Sequence, residues 1–186
     1  MGIDLNCDTK GFSCSYSCWH NIRAELIEAT FAYLEYLIAN ETNNLDQERF
    51  EQSVVSHLKQ YITEIREYSV SFENDKPPIN PFALLSSKCD LFDAFSKYSR
   101  DISFINILIQ FGVVGIYALC NKSDSDGFYS VGNSYDICNL IQLIKPFTIK
   151  NKDNIDDEEN WLYRCIDKLF ELFQESSEKK FLVLIS

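Results

Sequence analysis

Histidine is almost missing from this chain: His20 and His57 are the only two in 186 residues. A thiol or hydroxyl nucleophile needs a nearby base, so this scarcity removes most routes to nucleophilic catalysis. There is no phosphate-binding loop, no Gly-rich dinucleotide turn, no GxSxG elbow and no HExxH motif. Catalysis is therefore unsupported, and no catalytic or cofactor-binding residue stands out. Internal repeats and low-complexity segments are lacking too. The start, Met1 to Lys10, has neither the basic residues nor the apolar run of a secretory signal, and it carries Asp4 and Asp8. That absence places the expected location in the cytoplasm. Gly2 follows Met1 as in a myristoylation motif, but Asn6 stands where that motif wants Ser or Thr, so lipidation is not expected.

Basic side chains are in deficit. Seventeen Lys and Arg face 28 Asp and Glu, a formal net charge of −11. This repels phosphate backbones and anionic membrane surfaces, so neither nucleic acid nor a membrane is an expected partner. A basic protein is the partner that the charge favours. Methionine occurs once, against 14 Phe and 10 Tyr, so the interior should be built from aromatic rings and branched aliphatics. At this length one domain, 1–186, buries roughly 70% of the surface its unfolded form exposes.

The seven cysteines, at 7, 14, 18, 89, 120, 138 and 165, are odd in number, and several fall on apolar helix faces. Free buried thiols of a reducing compartment behave in this way, and no disulfide framework is indicated. Cys7, Cys14, Cys18 and His20 lie close enough to gather around zinc in principle, but their spacing is not that of a zinc knuckle. Buried structural thiols are the plainer reading.

Helical periodicity runs through most of the chain. Ile22, Leu26, Ala29, Tyr33 and Leu37 recur at steps of three and four between Ser17 and Asn40, with Arg23, Glu25, Glu28 and Glu35 on other faces. The Ser15 to Ser17 region supplies an N-cap. A second stripe, Phe50, Val54, Leu58, Tyr61, Ile65, Tyr68 and Phe72, marks a helix over Leu45 to Phe72. Three of the four prolines fall in Glu73 to Pro81, which reads as a loop. A third helix is expected from about Pro81 to Tyr98, with Phe92 and Phe95 inward.

Ile102 to Cys120 holds no charge and meets the length criterion for a membrane span. No positive flank supports insertion. The expectation is one central helix enclosed by its neighbours, with Gly112 and Gly115 letting them approach closely. Asn133 or Ser134 should cap the next helix, which Pro146 ends, and a last helix from about Asp156 to Ser177 points Trp161, Cys165, Leu169, Leu172 and Phe173 inward. Phe181 to Ile185 reads as a buried strand paired with Met1 to Leu5. The fold expected is mainly α: a compact bundle of about six helices around a buried central helix at 102–120, with a small two-stranded sheet joining the termini.

The loop Lys122 to Asn133 is the most site-like segment. Asp124, Asp126 and Gly127 match positions 3, 5 and 6 of a twelve-residue EF-hand loop, and Ser130 falls at position 9. Two carboxylates at alternating positions converge on a hard cation where glycine permits the turn. Lys122 stands at position 1 and Asn133 at position 12, so the first carboxylate and the bidentate glutamate are missing. Asp124, Asp126 and Ser130 are thus candidate ligands of a weak calcium or magnesium site. An Asp-Gly turn capped by its own side chains is the alternative.

The opening Met1 to Asp4 (MGID), the Cys14 to Ser17 stretch (CSYS) and the loop Asn121 to Gly127 (NKSDSDG) resemble, in the same order, a family of small uncharacterised proteins. Its members open Met-Gly-Ile-Asp, carry a Ser-Tyr motif before the first helix and contain an Asn-His-Ser-Asp-Cys-Asp-Gly loop. The resemblance covers both ends and the loop but not Thr42 to Ser99. It implies a similar architecture and singles out the loop. Lys122 in place of His and Ser125 in place of Cys weaken any metal site carried over. The function expected is a non-catalytic helical binding or interaction domain. Two alternatives stand beside it: a metal-dependent hydrolase or transferase using Asp124 and Asp126, and an acidic immunity-type or regulatory protein masking a basic partner.

Overall fold

A computed structural model of the chain describes residues 2–41, 51–74, 86–121, 127–148 and 157–185. The first two strands, β1 (Gly2–Asn6) and β2 (Gly11–Ser15), form a hairpin in which Ile3 and Leu5 of β1 and Phe12 of β2 turn inward. Period-two alternation of apolar and polar residues is what lets one face of this hairpin lie on the core. Helix α1 (Tyr16–Glu41) follows at once, and the Ser15 hydroxyl accepts the Cys18 amide at 3.3 Å.

Helix α1 is the central element. Trp19, Ile22, Arg23, Leu26, Ile27, Phe31 and Leu34 are all buried, and they project from more than one side of the helix. It packs against α2 (Gln52–Asn74), α3 (Ser86–Tyr98), α5 (Gly115–Cys120), α6 (Val131–Ile144) and α7 (Asp157–Lys179), and against both strands of the hairpin. Its exposed Glu28 and Glu35 meet Arg66 of α2 at 2.6 and 2.5 Å. Arg23 departs from the expected polar face. It is 1% exposed, and its guanidinium lies over the Phe92 ring at 4.0 Å and the Trp19 ring at 5.2 Å. Aromatic faces attract a cation, and the long aliphatic stem packs like an apolar side chain.

The uncharged run 102–120 is not one helix. It divides into α4 (Ile102–Gln110) and α5, and Ile102 is 73% exposed. Gly112, at φ 72°, ends α4 in a Schellman turn: the Val113 amide donates to Leu108 O at 2.9 Å and the Gly112 amide to Ile109 O at 3.0 Å. A residue without Cβ takes this left-handed conformation at little cost. The two glycines therefore have different jobs. Only Gly115 serves close packing, where α5 crosses α6.

The sheet has four strands rather than two, in the order β2-β1-β4-β3, all antiparallel. The expected pairing of the two ends is present, with Leu5 opposite Ile185 in β4 (Val183–Ile185). The hairpin adds β2 on one side, and β3 (Gly127–Tyr129) adds the other edge. Three residues inside a polar loop are too few to carry a period-two signal, which is why β3 escapes a reading by pattern. The tail is not buried throughout: Val183 and Ile185 turn in, while Phe181, Leu182 and Leu184 are exposed. Trp161, expected inward on α7, is 37% exposed, whereas Cys165, Leu169, Leu172 and Phe173 are buried as expected.

Candidate functional site at the sheet

Of the expected cation ligands, Asp124 and Asp126 lie outside the described residues, and Ser130 lies within them. Ser130 is the N-cap of α6: its hydroxyl oxygen accepts the Asn133 amide at 3.1 Å, and Asn133 Oδ1 accepts the Ser130 amide at 3.3 Å. This capping box satisfies helix-end donors reciprocally. It moves the cap from the expected Asn133 or Ser134 to Ser130. Ser134 is instead buried, with its hydroxyl 2.7 Å from that of Ser176, which donates to Phe181 O at 2.6 Å. Gly127, read from sequence as the turn glycine, has φ 125°. Among the described residues no group of three His, Cys, Asp or Glu is placed to hold a metal ion.

Among the described side chains the cysteines split by burial. Cys120, Cys138 and Cys165 are buried, and Cys7, Cys14 and Cys18 are half-buried. Burial, reinforced by the nearby Cys18 and Cys165, pushes the Cys14 thiol up to about 12. Burial also pushes Cys165 up to about 11. A thiol held neutral is a poor nucleophile, so Cys14 does not suit the catalytic reading. His20 packs edge-on against Phe92, ring centres 4.9 Å apart, and His57 is exposed on α2.

The most elaborate polar arrangement escaped sequence reasoning. Glu175 of α7 is only 8% exposed, and its carboxylate holds the turn of the hairpin. Oε2 accepts the Thr9 and Lys10 amides at 3.1 and 2.9 Å, while Oε1 accepts the Lys179 ammonium at 2.8 Å and the Thr9 hydroxyl. The Lys179 and Thr9 hydrogen bonds lower the carboxyl to about 2. Lys10 to Glu171 at 2.8 Å and Lys179 to Asp8 at 3.2 Å flank it. The partners lie some 165 residues apart, beyond the reach of any local pattern.

On its outward side the sheet is polar at one end and apolar at the other. Asp4, Asn6, Ser13 and Ser15 are exposed on β1 and β2. Across the register, Phe128 of β3 stands opposite Leu184 of β4, 49% and 55% exposed, and Leu182 lies two residues before Leu184 on the chain and is also exposed. Phe128 and Leu184 thus form a cross-strand apolar pair on the outward face of the sheet.

Comparison of the chain with protein-family models, with curated proteins and with solved structures finds no match. Among the described residues, no helix is long and apolar enough to cross a membrane.

Proposed function

We propose that the chain is a non-catalytic helical interaction domain that engages a basic protein partner. The observation that carries this reading is the exposed Phe128 and Leu184 pair on the sheet of a chain with net charge −11. Carboxylates supply long-range attraction and raise the encounter rate with a cationic partner, while a small apolar contact fixes the docked position. The remaining chemistry fits the same reading. Cys14 and Cys165 are held neutral by burial, and the Glu175 carboxylate is committed to backbone amides of its own chain.

Cross-linking in the native host followed by reconstitution with the purified partner tests it. Phe128→Glu and Leu184→Glu should each weaken binding at least tenfold, and added salt should slow association. A partner whose affinity is indifferent to both substitutions and to salt overturns the reading.

A further inference from the structure

The hairpin leaves one edge of the sheet open. In the order β2-β1-β4-β3 the outer strands are β2 and β3, and β3 is only 3 residues long. The register of β2 fixes where its backbone points. The Cys7 amide donates to Lys10 O at 2.9 Å, so Cys7 and Lys10 are a hydrogen-bonded pair, and the same register continues from Asn6 opposite Gly11 to Gly2 opposite Ser15. Hydrogen-bonded and non-hydrogen-bonded pairs alternate along an antiparallel ladder. Phe12 and Cys14 therefore direct their amides and carbonyls to Leu5 and Ile3, while those of Gly11 and Ser13 point away from β1. Among the described residues, neither Gly11 nor Ser13 finds another hydrogen-bond partner. Gly11 is exposed, and a residue without a side chain is exposed only through its backbone. Edge strands are commonly shielded by proline, by charged side chains or by a bulge. In β2 (GFSCS) all three are missing: it holds no proline and no charge, and it pairs with β1 in unbroken register. That register also sets Asp4 opposite Ser13, and Asp4 is exposed and makes no ion pair among the described residues.

We propose that the β2 edge takes up an extended basic segment of a protein partner as a further antiparallel strand, with a Lys or Arg opposite Ser13 that reaches across it to Asp4. This rests on the reading of the chain as a binder of a basic protein and supplies a mode of docking for it. The outward amides and carbonyls of Gly11 and Ser13 give the main-chain hydrogen bonds of strand addition, and the side chains of the added strand give its specificity. Ser13 is too short to screen Asp4. Two strand spacings of ~4.8 Å set the new strand roughly 10 Å from β1, a gap that a long cationic side chain on the same face spans. Charge decides against a second copy of the chain as the occupant. Each copy carries −11, and pairing β2 with β2 about a two-fold at Ser13 would bring a second Asp4 into the same row.

Titrating the isotope-labelled full chain with the peptide acetyl-Val-Arg-Val-Arg-Val-amide, and with its Val-Glu-Val-Glu-Val counterpart, tests the proposal by amide nuclear magnetic resonance. The Arg peptide should shift the Gly11 and Ser13 amides and slow their hydrogen exchange, and the Glu peptide should leave both unmoved. Ser13→Pro removes an N–H that faces away from the ladder, the one place where a strand accepts proline. It should weaken the Arg peptide roughly tenfold, because one peptide carbonyl is left unpaired. Asp4→Asn leaves the edge backbone intact and should bring the two peptides toward equal affinity. Should Ser13→Pro fail to fold, the amide shifts of the native chain and Asp4→Asn decide. No response at Gly11 and Ser13 in millimolar Arg peptide, shifts centred on β3 and β4, equal binding of both peptides to the native chain, or a dimer that protects Gly11 and Ser13 without peptide overturns the proposal. The reading of a basic partner fails separately: a partner that heeds salt, Phe128→Glu and Leu184→Glu but ignores Ser13→Pro and Asp4→Asn removes only the added strand.

Discussion

Gly115 and Asp136 lie back to back where α5 crosses α6: a Cβ on Gly115 would stand 2.3 Å from the Asp136 carbonyl oxygen and 2.9 Å from the Ile137 Cα. Neither neighbour is a flexible side chain that could swing away. Gly115→Ala must therefore push two buried helices apart, and overpacking of this kind costs about 1–3 kcal/mol. Gly112→Ala tests a different mechanism. Nothing lies within 4 Å of its added methyl group, but φ stays positive, so the loss is about 1 kcal/mol of backbone strain. Urea denaturation midpoints should rank the two, with Gly115→Ala the more damaging. Equal losses would mean that the α5 and α6 contact is looser than described.

The Glu175 clasp sets the acid limb of stability. Its carboxyl falls from the ordinary 4.5 to about 2, because the folded chain stabilises the ionised form through Lys179 and the hairpin amides. A depressed folded value means that this contribution is complete above about pH 4.5 and is lost as pH falls toward 2. Glu175→Gln should lower the melting temperature at pH 7 and flatten the decline between pH 4.5 and 2. Parallel curves for the variant and the native chain would show that the carboxylate charge is not what holds the turn.

Ser130 separates the capping role from the cation role. Removing the hydroxyl that accepts the Asn133 amide should cost about 1 kcal/mol, the usual value for an N-cap. If capping is its role, Ser130→Ala should lose the same amount of stability in calcium, in magnesium and in chelator. A loss that grows when calcium is added would restore Ser130 as a ligand of the loop, since binding to the folded state alone raises stability.

What the sequence made legible follows from range. The stripe of α2 predicts burial of Leu58 and Ile65, and both are buried. Pro146 falls in the short 3₁₀ turn (Lys145–Phe147) that succeeds α6, and the two terminal segments pair as expected. Each of these rests on a local rule, either a repeat of 3.6 or 2 or a residue with a fixed φ. Gly112 misled because a glycine in an apolar run serves packing or turning equally well on paper. Arg23 misled because its charge outvotes its three-methylene stem in a pattern reading, although Trp19 and Phe92 give that charge a face. Glu175, Phe128 and Leu184 owe their roles to neighbours distant in the chain, so nothing in their own surroundings announces them.

Tyr61 and Asp101 offer the alkaline counterpart of the Glu175 measurement. The Tyr61 hydroxyl donates to Asp101 Oδ2 at 2.7 Å, while Oδ1 of the same carboxylate accepts the Ser103 amide at 2.8 Å and caps α4. One side chain thus joins α2 to the start of α4. Burial, aided by the Asp101 hydrogen bond, raises the phenol from 10.0 to about 12. A raised folded value contributes stability that is whole below about pH 10 and disappears as pH climbs toward 12. Tyr61→Phe keeps the ring against Phe104, 4.9 Å away, and removes only the donor. It should cost about 1 kcal/mol at neutral pH, since water replaces part of an exposed hydrogen bond. The stability of the variant should also fall less steeply than that of the native chain between pH 10 and 12. If both chains lose stability at the same rate there, the phenol does not titrate differently on folding, and the Tyr61 link between α2 and α4 is not made in solution.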